Sequence, residues 1–192
     1  MSGAADLLAA LTPVVEALDR LGIEYQLGGS VASSVHGTAR STLDIDLVAD
    51  LREDQTDLLV RALAADYYVD AGMIREAIRD RSSFNVIHQG SMLKVDVFIP
   101  RDRPYDREAL RRRRPDRLEG PEGARQFFVA TPEDVILAKL EWYDRGGRAS
   151  ERQWSDVLGI LRVQGDIDEA YLRKWAPELG VGDLVDRALE ER

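Results

Sequence analysis

Two carboxylates one residue apart, Asp44-Ile45-Asp46, sit in a run that alternates like a β-strand. Side chains two apart on a strand face the same way, so Asp44 and Asp46 leave one face while Ile45 and Leu47 leave the other. The later run "MLKVDVFI" alternates in the same sense. It sends Leu93, Val95, Val97 and Ile99 toward a core and Lys94 and Asp96 to the opposite face. The chain therefore needs a sheet with one apolar face, and a second face on which two strands carry acid.

Carboxylates about 6–7 Å apart on one strand repel by roughly 2–3 kcal/mol at an effective dielectric near 20, and by less than about 1 kcal/mol in water. On a partly desolvated strand such a pair raises each other's pKa unless a cation lies between them. Magnesium suits the position, because it takes oxygen ligands and keeps waters and phosphates in its shell. Two such ions serve both the attacking and the leaving oxygen of a phosphoryl displacement.

The complementary half is Gly28-Gly29-Ser30, which ends the strand-like run "IEYQL". Glycine lets backbone come close to a phosphate, and the helix start that follows offers free amides. Ser30 adds a hydroxyl. The two halves together describe a nucleoside triphosphate site.

Elsewhere, Leu7, Leu11, Val14, Leu18 and Leu21 recur at helical spacing and predict a helix over residues 6–21. "SVASSVHG" predicts a short helix started by Ser30 and stopped by Gly37. Residues 53–65 predict a helix with Leu58, Leu59 and Leu63 on its buried side, and residues 73–78 another. "SFNVIHQGSMLKVDVFIP" predicts a hairpin around Gln89-Gly90-Ser91. Residues 101–123 read as a polar loop with a helical turn or two, and "QFFVA" as an edge strand. Thr131-Pro132-Glu133-Asp134 is a helix start, with helices from there to the end, broken near Gly146-Gly147, Gly165 and Gly180. Strands first and helices afterwards give an α+β class. The expected organisation is a domain over residues 1–130 with a helical segment, 131–192, packed on it.

The chain has no cysteine and two histidines, so disulfides and Cys/His zinc sites are out of reach. No run approaches the roughly 20 apolar residues of a membrane span, and there is no signal-like N-terminus, so the expected setting is cytoplasmic and away from membranes. With a formal charge of −9, any nucleic acid must be met by a local patch or through metal ions.

"GGS", thirteen intervening residues, "DID" and a later "KVDVF" resemble the nucleotidyltransferase superfamily typified by DNA polymerase beta. "TARSTLDIDL", "TPEDVILAKLEW" and "RQWSDVLGIL" are most similar to its bacterial branch of minimal and abortive-infection-type enzymes. The resemblance implies a nucleotidyltransferase fold: a short mixed sheet flanked by helices, with a helical C-terminal segment. It implies transfer of a nucleoside monophosphate from an NTP to a hydroxyl of RNA or protein. Asp44, Asp46 and Asp96 would be catalytic and hold two magnesium ions, and Gly28, Gly29, Ser30 and Arg40 would bind the nucleotide. It also brings in a toxin–antitoxin or phage-defence setting, with a cognate toxin or antitoxin as partner. The alternatives are a non-catalytic protein of this fold that binds a partner protein or RNA, and an enzyme that modifies a small molecule such as an aminoglycoside.

Several residues carry two readings. Arg40 is a phosphate ligand, an orienter of the aspartates, or a surface arginine. Lys94 touches phosphate or neutralises the acids. Lys139 is read as a solvated helix lysine, although in the resembling branch a lysine here faces the nucleotide. The arginines at 111–114 are a patch that grips RNA phosphates or, the favoured reading, a surface segment bridged to Asp106, Glu108 and Asp116. His36 and His88 are structural or exposed. Trp142, Tyr143, Trp154, Tyr171 and Trp175 are read as packing residues.

Overall fold

A computed structural model of the chain describes residues 2–37, 44–118 and 125–192. Arg40 lies outside them. Among the described residues the order is α1(Ser2–Arg20), β1(Tyr25–Leu27), α2(Gly29–His36), β2(Ile45–Ala49), a 3-10 turn (Glu53–Gln55) leading into α3(Thr56–Leu63), β3(Tyr67–Tyr68), α4(Ala71–Asp80), β4(Ser83–His88), β5(Lys94–Phe98), α5(Pro104–Arg112), β6(Arg114–Arg117), β7(Gln126–Val129), α6(Pro132–Arg145), α7(Glu151–Val163), α8(Glu169–Leu179) and α9(Gly182–Glu190).

The strands form one mixed sheet in the order β3-β4-β5-β2-β1-β7-β6. At its centre β2 pairs antiparallel with β1 and parallel with β5. The expected alternation is realised. Ile45, Leu47, Val95, Val97 and Val86 are buried on one face, with the apolar stripe Leu11, Val14 and Leu18 of α1 in the same core. Helices α3 and α4 complete this side, α3 packing on α1, and α4 on α3 and β4. Tyr67 adds a long-range tie, its hydroxyl donating to the Ala10 carbonyl at 2.7 Å. On the other face α2, α6 and α7 pack on one another and border the acidic residues.

Helix α6 starts as its sequence dictates. The Thr131 hydroxyl accepts the Asp134 amide, and Pro132 occupies the first turn. Asp134 then anchors the C-terminal helices. Its carboxylate accepts from Thr131 and from the Tyr171 hydroxyl, each at 2.7 Å, and burial pushes its pKa up.

Several expectations are corrected. Helix α2 is capped by Gly28, in extended backbone, while Ser30 lies inside the first turn. Leu58 faces solvent while Leu59 and Leu63 are buried, because α3 begins only after the 3-10 turn and presents a narrow buried stripe. The 101–123 segment is not a loop with isolated turns: it contains α5 and β6. Strand β6 then covers β7, so "QFFVA" is an internal strand between β1 and β6. Three arginines of the run are ion-paired, with partners drawn from across the fold. Arg111 pairs with Glu108, but Arg112 pairs with Glu133 and stacks on Tyr171, and Arg113 pairs with Glu24. Asp106 instead takes Arg103. Trp142 is not a packing residue in the sense expected, being more than half exposed.

Candidate active site

The pairing of β2 with β5 sets Asp46 directly beside Asp96 as register partners. Residues paired across neighbouring strands share a face, so the two carboxylates lie abreast. Asp44, immediately before β2, lies on the same side by alternation. All three line a cavity of about 300 Å³, together with Ser30 from α2, Lys139 from α6, and Ser150, Arg152, Gln153 and Asp156 from the start of α7.

The glycine turn is fitted to Asp46. The Gly28 amide donates to the Asp46 carbonyl at 2.9 Å, and the Ser30 amide is hydrogen bonded to the Asp46 carboxylate. Gly29 has φ +53, and a Cβ there would lie 1.7 Å from Asp46 Oδ2. Only glycine satisfies both the backbone angle and that approach. The amides at the start of α2 therefore serve first to hold a catalytic candidate, and one of them is spent on Asp46 rather than left for phosphate.

Electrostatics follow from this crowding. Burial pushes the Asp46 carboxyl above its ordinary range, and the neighbouring Asp96 and Asp44 push in the same direction, against the Ser30 amide and Lys139. Lys94 shares the face of Asp96 and bonds it at 2.7 Å, which raises the Lys94 pKa. Of its two readings, the structure shows Lys94 neutralising an acid.

Lys139 is the main correction. It is 5% exposed, its ammonium 2.7 Å from Asp156 and 3.3 Å from Gln153 Oε1, inside the cavity rather than in solvent. The signal was present in the sequence. Lys139 falls between Val135, Ile136, Leu140 and Tyr143 on the apolar stripe of α6, where a solvated lysine has no place. Arg152, Gln153 and Asp156 carry no such periodic signature, and only the packing of α7 on α2 and α6 brings them in. Arg152 reaches the Ser30 hydroxyl at 3.4 Å and Asp44 at 3.9 Å. His36 and His88 are structural: His36 bonds the Ala130 carbonyl at 2.6 Å and His88 the Ser91 hydroxyl at 2.8 Å.

Among the described residues no three His, Cys, Asp or Glu side chains are drawn together as a finished metal cage. The donor set nevertheless fits a hard dication. It is all oxygen, it faces one polar cavity, and its members raise one another's energy as like charges.

This mixed sheet, with acid on its central strands and the glycine turn beside them, has the nucleotidyltransferase fold. Among solved structures, an antigenic nucleotidyltransferase-like protein from Paracoccidioides brasiliensis is 16% identical and matches over 96% of this chain and 92% of its own, with a TM-score of 0.54. The ANT(2'')-Ia protein, solved in complex with adenylyl-2''-tobramycin, is 13% identical and matches over 97% of this chain and 98% of its own, also with a TM-score of 0.54. No family model and no curated protein matches the sequence. Among the described residues no helix is long and apolar enough to cross a membrane.

Proposed function

We propose that this cavity transfers a nucleoside monophosphate from an NTP, with magnesium, to a hydroxyl of an RNA or protein acceptor. The observation that carries the reading is Asp46 abreast of Asp96 with Gly29 seated against its carboxylate. A structural surface pair would not need a glycine at positive φ to make room for it. Asp44, Asp46 and Asp96 would hold the magnesium, which when bound neutralises the phosphates and the charge that develops on them.

The chain's own residues do the rest. Gly28, Gly29 and Ser30 border the triphosphate, with Arg152 and Lys139 supplying positive charge on the helical side of the cavity. The acceptor oxygen forms a bond to the α-phosphorus. The bond to the bridging oxygen breaks, and pyrophosphate leaves with its electron pair. The acceptor proton passes to Asp96, whose carboxylate Lys94 holds in place. Positioning and charge supply most of the rate in such transfers. The finer placement in the minimal and abortive-infection branch, and with it a cognate toxin or antitoxin, rests on the sequence runs "TARSTLDIDL" and "RQWSDVLGIL".

The test is label transfer from each α-labelled NTP, with magnesium, into a lysate resolved separately for RNA and protein. Asp46→Ala and Asp96→Asn are expected to lose transfer while keeping the wild-type far-ultraviolet spectrum. Turnover in either variant at the wild-type rate would overturn the assignment.

A further inference from the structure

Past Asp96 the acidic face of the sheet runs into an aromatic and arginine-rich patch that the chemistry above leaves unused. Strand β5 alternates, so Phe98 shares the face of Lys94 and Asp96, one step further along. Trp142, one helical turn beyond Lys139 on α6, meets the Phe98 ring nearly edge-on with centroids 5.9 Å apart. The indole is 52% exposed, so only part of its surface is used by that contact.

Guanidinium groups gather around it. Arg101, Arg103 and Arg145 all converge on Glu141, at 3.4, 2.8 and 2.5 Å, and Arg145 also lies 5.8 Å from the centre of the Trp142 ring. Arg103 has a second partner in Asp106. Three guanidinium groups here share two carboxylates, Glu141 and Asp106. Arg101 and Arg145 keep 44% and 37% of their side chains exposed.

The position of the patch matters as much as its composition. The glycine turn ends β1, and the strands run β1, β2, β5. Asp46 is therefore next to the turn and Asp96 one strand further from it, while Phe98 lies two residues along the strand of Asp96, level with Val48 of β2. Attacking and leaving oxygens of a phosphoryl transfer lie roughly in line. With pyrophosphate at the glycine turn and Arg152, the attacking hydroxyl enters from the side of Asp96, where the patch begins.

We propose that Phe98, Trp142, Arg101 and Arg145 form the acceptor subsite, and that its occupant is an unpaired terminal nucleotide of an RNA strand. The base stacks on Trp142, the adjoining phosphate meets Arg101 and Arg145, and the ribose hydroxyl is presented to Asp96. Exposed aromatics interleaved with arginine are how unpaired nucleic acid is gripped without sequence readout. A protein hydroxyl would call for neither the stacking ring nor the phosphate-binding pair. The proposal rests on the nucleotidyltransferase reading for the direction of attack.

The test is tryptophan fluorescence titration with a short unstructured oligoribonucleotide, at low salt, without NTP or magnesium. The oligonucleotide is expected to quench the signal saturably, with affinity falling as salt rises. Trp142→Ala is expected to weaken binding about tenfold to a hundredfold, read by competition with a labelled oligonucleotide. Trp142→Phe should restore most of it, and Arg145→Ala should lower the salt dependence. Magnesium-dependent NTP binding, measured separately by equilibrium dialysis, should survive in Trp142→Ala. Unchanged oligonucleotide affinity in Trp142→Ala would overturn the proposal, as would quenching of Trp142 by NTP alone, which would give the ring to the donor base. If the wild type binds the oligonucleotide through Trp142 but binds no NTP, the RNA surface stands and the nucleotidyltransferase reading falls.

Discussion

Replacing Gly29 by alanine tests the site at its tightest point. The added Cβ would lie 1.7 Å from Asp46 Oδ2 and 2.5 Å from its carboxyl carbon, closer than any real Cβ contact. The backbone holds φ at +53, where an L-residue costs about 1–2 kcal/mol. The carboxylate must therefore swing away by about 1 Å or more, which breaks the hydrogen bond donated by the Ser30 backbone N–H and the alignment with Asp96. Misplacement on that scale costs on the order of 10²-fold in catalysis. Gly29→Ala should lose about 1–2 kcal/mol in urea denaturation, and transfer should fall by about two orders of magnitude. Gly28→Ala is the matched control. A Cβ there meets no protein atom within 4 Å and the backbone is extended, so folding and the seat of Asp46 should be retained. If the two variants were equally active, the claim that Gly29 exists to seat Asp46 would be wrong.

Two other substitutions test neighbouring parts of the argument. Lys139→Met should destabilise by about 3 kcal/mol or more in urea denaturation, because it leaves Asp156 without its ammonium in a buried setting, and adding Asp156→Leu should recover much of that; a loss under about 1 kcal/mol would mark the pair as surface-like. Burial raises the Tyr67 phenol from 10.0 to about 12, so the fold favours the neutral form, and that stability is present below pH 10 and lost as pH rises toward 12. Tyr67→Phe should be weaker by about 1 kcal/mol at neutral pH yet should lack this alkaline loss, as read from urea midpoints at stepped pH.

The acidic strands were legible because period-2 alternation is a local property: Ile45 and Leu47 against Asp44 and Asp46 needed no knowledge of the rest of the chain. The start of α6 was legible for the same reason, since Thr131 and Pro132 act within one turn. Strand β6 was not. Its run of Arg114, Pro115, Asp116 and Arg117 has no apolar face, and it is a strand only because β7 lies ready to pair with it. Lys139 was misread because helix lysines are usually solvated, although its place on the apolar stripe argued otherwise. Arg152 and Asp156 come to the cavity through the packing of α7, a tertiary fact with no signature in spacing. Trp142 was assigned to packing by its helical context, which says nothing about which side of α6 lacks a neighbour.

The parallel pairing of β2 with β5 also bears on how the protein comes into being. Between these strands the chain makes a long excursion through α3, β3, α4 and β4 before Asp96 returns beside Asp46. Lys139 and Asp156 lie further on still. Contacts so distant in sequence close slowly and late, after loop entropy has been overcome. During synthesis the emerging chain carries its glycine turn and first two aspartates early, yet the cavity they line is complete only once α7 has packed onto the closed sheet. Assembly of the cavity thus doubles as a readout of completed folding.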